Sequence, residues 1–209
     1  MPSTRFILVR HGQTEWNRVE RFRGQADVPL NDVGLAQAEA TGERIAAQWQ
    51  PAAIYASPLS RAVKTAESIA RRFDLQVQTH RLLIDINYGE WQGLSPDEVI
   101  AKWPAALEAW YKAPGVAEIP SGETLNAVRA RGLSAVRELA DLHEGATLVL
   151  VGHTVINRLI LLAVLGLGTH RFWHIGQDTC AINVFETLGH DFILKSLNDT
   201  CHLHALAHN

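Results

Sequence analysis

Two cysteines and one methionine are the only sulfur-bearing residues among 209. Cys180 and Cys201 stand far apart and in no metal-ligand spacing, which excludes a disulfide-stapled scaffold and leaves two reduced, buried thiols as the simplest reading. Net charge is equally scant. Nineteen Lys and Arg against 22 Asp and Glu leave −3, and with a pI near 6.4 the chain has no whole-molecule field for nucleic acid or anionic lipid. Any anion site must be local. Long hydrophobic runs are missing too. The longest, Leu159 to Leu167, is about half of what a bilayer span needs and suits a buried helix. Phe6 to Val9, the apolar run behind Met-Pro-Ser-Thr-Arg, is too short for the core of a secretory signal. The expectation is a cytoplasmic protein with no membrane and no nucleic-acid partner.

What is present is ordinary globular usage, 47% hydrophobic and 20% charged, in a chain long enough to bury a core without staples. Residues 1–209 are read as one domain. Phe6–Val9, Ala52–Tyr55 and Thr147–Val151 are short continuous apolar runs of the kind buried parallel strands show. Between them the apolar spacing is helical. Gly34–Gln48 and Thr124–Leu142 read as amphipathic helices, and Val155–Val164 as a helix apolar nearly all round. A further helix is predicted from Ser57 as N-cap and Pro58 at its first position, with Leu59, Ala62, Val63, Ala66, Ile69 and Phe73 on its inner face. Residues 179–187 and 190–197 read as two late strands joined at Gly189-His190. The pattern predicts an α/β three-layer sandwich with a mixed, mostly parallel central sheet, flanking helices and an antiparallel edge. Leu94 to Pro120, rich in Trp and Pro without a strand pattern, reads as an insertion over one end of the sheet.

In open α/β sheets ligands bind beyond the carboxyl ends of the strands. The first run leads into Arg10-His11-Gly12, the second into Ser57-Pro58 with Arg61 close behind, and the third into Gly152-His153-Thr154. Taken singly, each has a plain explanation: a chance tripeptide, a solvated Arg, a capping His. Together they put two Arg and two His at three strand ends, where helix N-termini add free N–H groups, and that combination suits a phosphoryl group.

The run Leu8-Val9-Arg10-His11-Gly12-Gln13-Thr14-Glu15-Trp16-Asn17 resembles the signature of the histidine phosphatases, the phosphoglycerate mutase-like superfamily. Arg23-Gly24 with Asp27, Pro29-Leu30, Gly34 and Gln37-Ala38 follow in the family's order, then Ser57-Pro58-Leu59, Arg61-Ala62, Thr65-Ala66, Gly89-Glu90-Trp91, Gly122-Glu123 and Gly152-His153. The resemblance implies the superfamily's fold and His11 as a nucleophile that becomes phosphorylated. It implies that Arg10, Arg61 and His153 hold the phosphoryl oxygens, supported by Asn17 and the backbone of Gly24. Neutral imidazole has a lone pair for phosphorus if its other nitrogen is held as a donor, and two Arg and a second His neutralise charge without a metal. No cofactor and no metal are expected. The His-bearing tail, Cys201-His202-Leu203-His204 with His208, has weak ligand spacing and reads better as a packed or disordered terminus.

Three residues depart from the family pattern. Asp85, in Leu83-Ile84-Asp85-Ile86-Asn87-Tyr88-Gly89, stands where the acid is usually Glu. It is shorter by a methylene, on the order of 1.5 Å of reach, and Glu90 is its rival. Arg23 replaces an uncharged side chain, either as a further phosphate or substrate contact or as part of a basic loop with Arg18 and Arg21. Thr154 follows His153 where Gly is common, which narrows the pocket. Ile86 replaces the substrate-binding Arg of the mutases, and the insertion carries Asp97, Glu98, Glu108 and Glu118 against Lys102 and Lys112, a poor match for a polyanion. Trp91, Trp103, Trp110 and Tyr111 are candidates for a leaving-group pocket. The favoured reading is a metal-independent phosphomonoester hydrolase acting on a small phosphorylated metabolite. A cofactor-dependent phosphoglycerate mutase and a non-catalytic phospho-ligand-binding module are the alternatives. Substrate and oligomeric state are left open, a homodimer included.

Overall fold

The computed structural model describes residues 2–208, with side chains to His204 and at Leu206. Its centre is a six-stranded sheet in the order β3-β2-β4-β1-β5-β6. In chain order the elements are β1 (Arg5–Arg10), α1 (Glu15–Arg18), α2 (Asp32–Gln48), β2 (Ala53–Ala56), α3 (Ser60–Ala70), β3 (Val77–Thr79), α4 (Pro96–Lys102), α5 (Pro104–Lys112), α6 (Leu125–Leu142), β4 (Thr147–Gly152), α7 (Thr154–Val164), β5 (Ile182–Leu188) and β6 (Asp191–Asp199). The first four strands are mutually parallel, and β5 and β6 add an antiparallel edge. The expected sandwich and its edge are present.

Period-two alternation divides the core. Phe6 and Leu8 of β1 and Leu148 and Leu150 of β4 face α6, α7 and the insertion, while Ile7, Val9, Val149 and Val151 face α2 and α3. Strands covered on both faces need apolar residues at every position, which is why their sequences read as unbroken runs. The segment 94–120 contributes Val99, Leu107, Trp110, Ala117 and Ile119 to the first layer and forms α4, α5 and a short 3-10 turn at Pro114–Val116.

Four expectations need correction. Val77–Thr79 is an additional edge strand beside β2, with too few apolar residues to form a run. The helix expected from Ser57 begins instead at Ser60, with Leu59 in the N-cap position. The Ser57 hydroxyl is taken by His153, and Asp27 caps the helix from outside by accepting from the Ser60 amide (2.8 Å) and hydroxyl (2.7 Å). Cys180 is buried, and burial pushes its thiol up to about 12, but Cys201 is exposed. Finally, Trp91 and Trp103 pack into the core or against it, and of the four proposed aromatics Trp110 and Tyr111 line the cavity that also holds Arg10 and Asp85. The tail forms a 3-10 segment, Cys201–His208, in which His202 Nε2 lies 3.0 Å from Thr41 Oγ1. The His208 side chain lies outside the described residues. Among the described residues no three His, Cys, Asp or Glu side chains are grouped to hold a metal ion, and no helix is long and apolar enough to cross a membrane.

Gly34, in the first turn of α2, sets the loop that follows β1. A Cβ there would stand 2.1 Å from the Gln13 carbonyl oxygen, and one on Gly12 would stand 2.4 Å from the Gly34 carbonyl oxygen. Two backbones meet here, and neither contact can be relieved by a side-chain rotation. Gly34→Ala should therefore cost about 1–3 kcal/mol, as overpacking does, read as a lower urea midpoint at unchanged slope.

Candidate active site

The three strand ends converge because β2, β4 and β1 are consecutive in the sheet. Parallel register sets Arg10 level with Gly152, and the His11 amide donates to the Gly152 carbonyl (3.0 Å). His11 and His153 thus emerge side by side, ring centroids 5.1 Å apart. From the other flank the Ser57 amide donates to Val151 (2.9 Å), which brings the β2 end against His153.

His11 Nδ1 lies 2.6 Å from the Gly12 carbonyl oxygen. A carbonyl can only accept, so Nδ1 carries the proton and Nε2 is left with the lone pair. Burial first, then the neighbouring His153, Arg61, Arg10 and Arg23, hold the His11 pKa well below that of an ordinary imidazole, so the ring is neutral near pH 7. His153 has the opposite tautomer: Arg61 Nε donates to its Nδ1 (3.2 Å), and its Nε2–H donates to Ser57 Oγ (2.7 Å). Burial and the same arginines also keep His153 neutral.

Arg61, fully buried, also donates to the carbonyls of Ala26 and Gly24, each at 2.7 Å. Gly24 sits at φ +49°, and a Cβ there would meet the Ile86 carbonyl oxygen at 2.7 Å, so glycine is required for this turn. Thr65, one helical turn beyond Arg61, donates to the Arg61 carbonyl (2.8 Å) and accepts from the Gly12 amide (3.1 Å), tying α3 to the His11 loop. Arg10 Nη1 donates to the Gln177 carbonyl (2.5 Å). Burial and then the charge of Arg23 pull Arg10 down to about 9, still cationic at neutral pH. Like charges held this close favour any anion that can join them.

A cavity of about 460 Å³ opens over this cluster, with Arg10, Asn17, Arg23, Gly24, Asp85 and Thr154 among its lining residues. His11, Arg61 and His153 are 1%, 0% and 0% exposed and lie behind that lining. Asn17 Oδ1 accepts from both the amide and the hydroxyl of Thr14, each at 2.9 Å, which fixes its side chain at the cavity. Thr154 Oγ1 is buried without a partner. Of the basic run, Arg18 is spent on Glu15 (2.6 Å) and Arg21 on Glu98 (3.1 Å) and the Gly93 carbonyl. Arg23 lines the cavity, and its buried Nε has no partner.

Asp85 is in the cavity wall and Glu90 is not. Asp85 Oδ2 lies 4.0 Å from Arg61 Nη2, and Oδ1 is buried without a partner. Burial raises the Asp85 pKa, outweighing the pull of Arg61, so the carboxyl holds a proton more readily than an exposed Asp. Its backbone is clamped: Arg131 donates to the carbonyls of Leu82, Ile84 and Asp85 while its Nε holds Glu123 at 2.9 Å. Glu90 is exposed, 3.4 Å from Ser121 Oγ. Sequence reasoning missed Arg131, the Ser57–His153 bond and a further cavity residue, Arg158. The signal for Arg158 was a charge inside a helix otherwise apolar nearly all round.

Residues 6–200 match the family described as the histidine phosphatase superfamily (branch 1). Phosphoserine phosphatase 1 of Hydrogenobacter thermophilus is 34% identical to this chain, covering 95% of it and 94% of that protein. The metal-independent phosphoserine phosphatase of Arabidopsis thaliana is 34% identical, covering 96% and 83%. Among solved structures, Bacillus stearothermophilus YhfR superposes with a TM-score of 0.91 at 30% identity, covering 96% of this chain and 100% of that one. The chain belongs to the histidine phosphatase superfamily.

Proposed function

We propose that the chain hydrolyses small phosphate monoesters through a phosphohistidine at His11. The observation that carries this reading is the Nδ1 contact with the Gly12 carbonyl, which leaves Nε2 free to attack amid a group of cations. In the first half-reaction the Nε2–P bond forms as the P–O bond to the leaving group breaks, and Asp85 gives its proton to the departing oxygen. In the second, ionised Asp85 takes a proton from water, whose oxygen displaces Nε2 to release inorganic phosphate. Arg10, Arg61 and Arg23 offset the charge on the equatorial oxygens, with the neutral His153, Asn17 and the Gly24 backbone in support.

A mutase reading is disfavoured because Ile86, at the position of the mutase Arg, is fully buried in the core. A mere binder has no use for a histidine whose lone pair is set free in this way. The chain is read as one domain, with 94–120 as the wall of its cavity. Two free cysteines suit a reducing compartment such as the cytoplasm. Phosphoserine, named for two relatives, is the first substrate to assay. Because side chains supply the charge neutralisation, hydrolysis of p-nitrophenyl phosphate should be unchanged after exhaustive chelation. Loss of activity restored by zinc or magnesium would overturn the assignment.

A further inference from the structure

On α7, five residues beyond His153, Arg158 enters the same cavity. At about 1.5 Å per residue its Cα lies about 7.5 Å along the helix axis from that of His153, toward the end of the cavity formed by the insertion. Its guanidinium carbon lies 5.0 Å from the Phe172 ring centroid and 5.1 Å from that of Trp173. Both rings are anchored: Phe172 is fully buried, and Trp173 Nε1 donates to the Trp110 carbonyl (2.9 Å). The guanidinium is therefore held over aromatic rings, an arrangement that leaves its N–H edge for an acceptor.

Among the described residues no acceptor takes that edge. Arg158 Nε is buried without a partner, and among the described residues Arg158 forms no ion pair within 4.0 Å. Asp178, which also lines the cavity, accepts at Oδ2 from Asn198 Nδ2 (2.8 Å). A half-buried cation left this way is costly unless a ligand completes it. The phosphoryl end already has Arg10, Arg23 and Arg61, so the missing partner belongs to the other half of the substrate. Exposed Glu20 and Asp178 share the cavity. They oppose a second, doubly charged phosphate but tolerate a single negative charge, and they favour an ammonium group.

We infer that Arg158 reads a carboxylate on the leaving-group half of the substrate, which makes the cavity selective for phosphorylated hydroxy acids and hydroxy amino acids. The inference rests on the phosphatase reading at His11 and assigns the substrate class of that site. The test compares kcat/KM for O-phosphoserine with that for its carboxamide, which has the same shape without the acid. Wild type should prefer the acid by about 10- to 100-fold, the range for a hydrogen-bonded charge pair. Arg158→Met should bring the ratio near one, and Arg158→Lys should keep part of it. No preference in the wild type, or a variant that slows both compounds equally and leaves the ratio intact, would overturn the inference. Dissociation constants of both compounds for His11→Ala and for His11→Ala/Arg158→Met separate this claim from the chemistry. A wild type that hydrolyses neither these compounds nor p-nitrophenyl phosphate contradicts the His11 reading, whereas one that hydrolyses p-nitrophenyl phosphate but neither of them, or equal affinities for acid and amide in His11→Ala, contradicts the role of Arg158.

Discussion

His11→Ala should lower kcat by about 10,000-fold or more on every monoester, because under the proposed mechanism it removes the atom that bonds to phosphorus rather than one of several charges. The fold should survive. The His11 backbone keeps its bond to Gly152 (3.0 Å), and the lost side-chain bond is a local one to Gly12. Far-UV circular dichroism and the urea midpoint check that inactivity is not unfolding. Residual activity within about 10-fold of wild type would mean that another group attacks.

The second large effect is at Asp85. Asp85→Asn keeps the shape but removes both the proton for the leaving group and the base for water, an expected loss of about 100- to 10,000-fold. The loss should depend on the leaving group. A nitrophenolate departs easily without a proton and an alkoxide does not, so in the phosphorylation step the variant should suffer far more on alkyl esters. Burial raises the Asp85 pKa, so the acid form persists above the usual carboxylate range. The alkyl-ester rate should fall as pH rises through that raised value, and this limb should vanish in Asp85→Asn. Asp85→Glu should retain activity where the wall accommodates one more methylene. Glu90→Gln should be close to neutral, since Glu90 is exposed and outside the cavity. If Glu90→Gln abolished alkyl-ester hydrolysis while Asp85→Asn did not, the acid would be Glu90.

How much of this was legible in the sequence follows from the range of the interactions involved. Arg10-His11, Arg61 and His153 could be read because each stands at or close behind an apolar run, and strands buried on both faces advertise their ends. That the three ends share one place depends on the sheet order, for which the family motifs stood in. Val77–Thr79 went unread because an edge strand with one apolar residue has no periodicity to show. Ser57-Pro58 carries a strong local helix-start signal, but His153, ninety-six residues away, claims the hydroxyl, and a tertiary bond overrides the local preference. Arg23 was undecided between surface and site until its neighbours were seen to be paired elsewhere and Arg23 was not. Arg158 and Arg131 could not be read because only the fold brings their partners near: aromatic rings for one, a row of carbonyls for the other.

The central claim is covalent chemistry at His11, and chemical trapping reaches it most directly. Brief exposure to a phosphorus-labelled monoester, followed by quenching in base, digestion and peptide mapping, should give acid-labile, base-stable label on the peptide containing His11. In Asp85→Asn the label should accumulate where breakdown is slowed more than formation, as with a nitrophenyl ester, and it should be absent from His11→Ala. Label on any other residue, or label that persists in His11→Ala, would contradict the account.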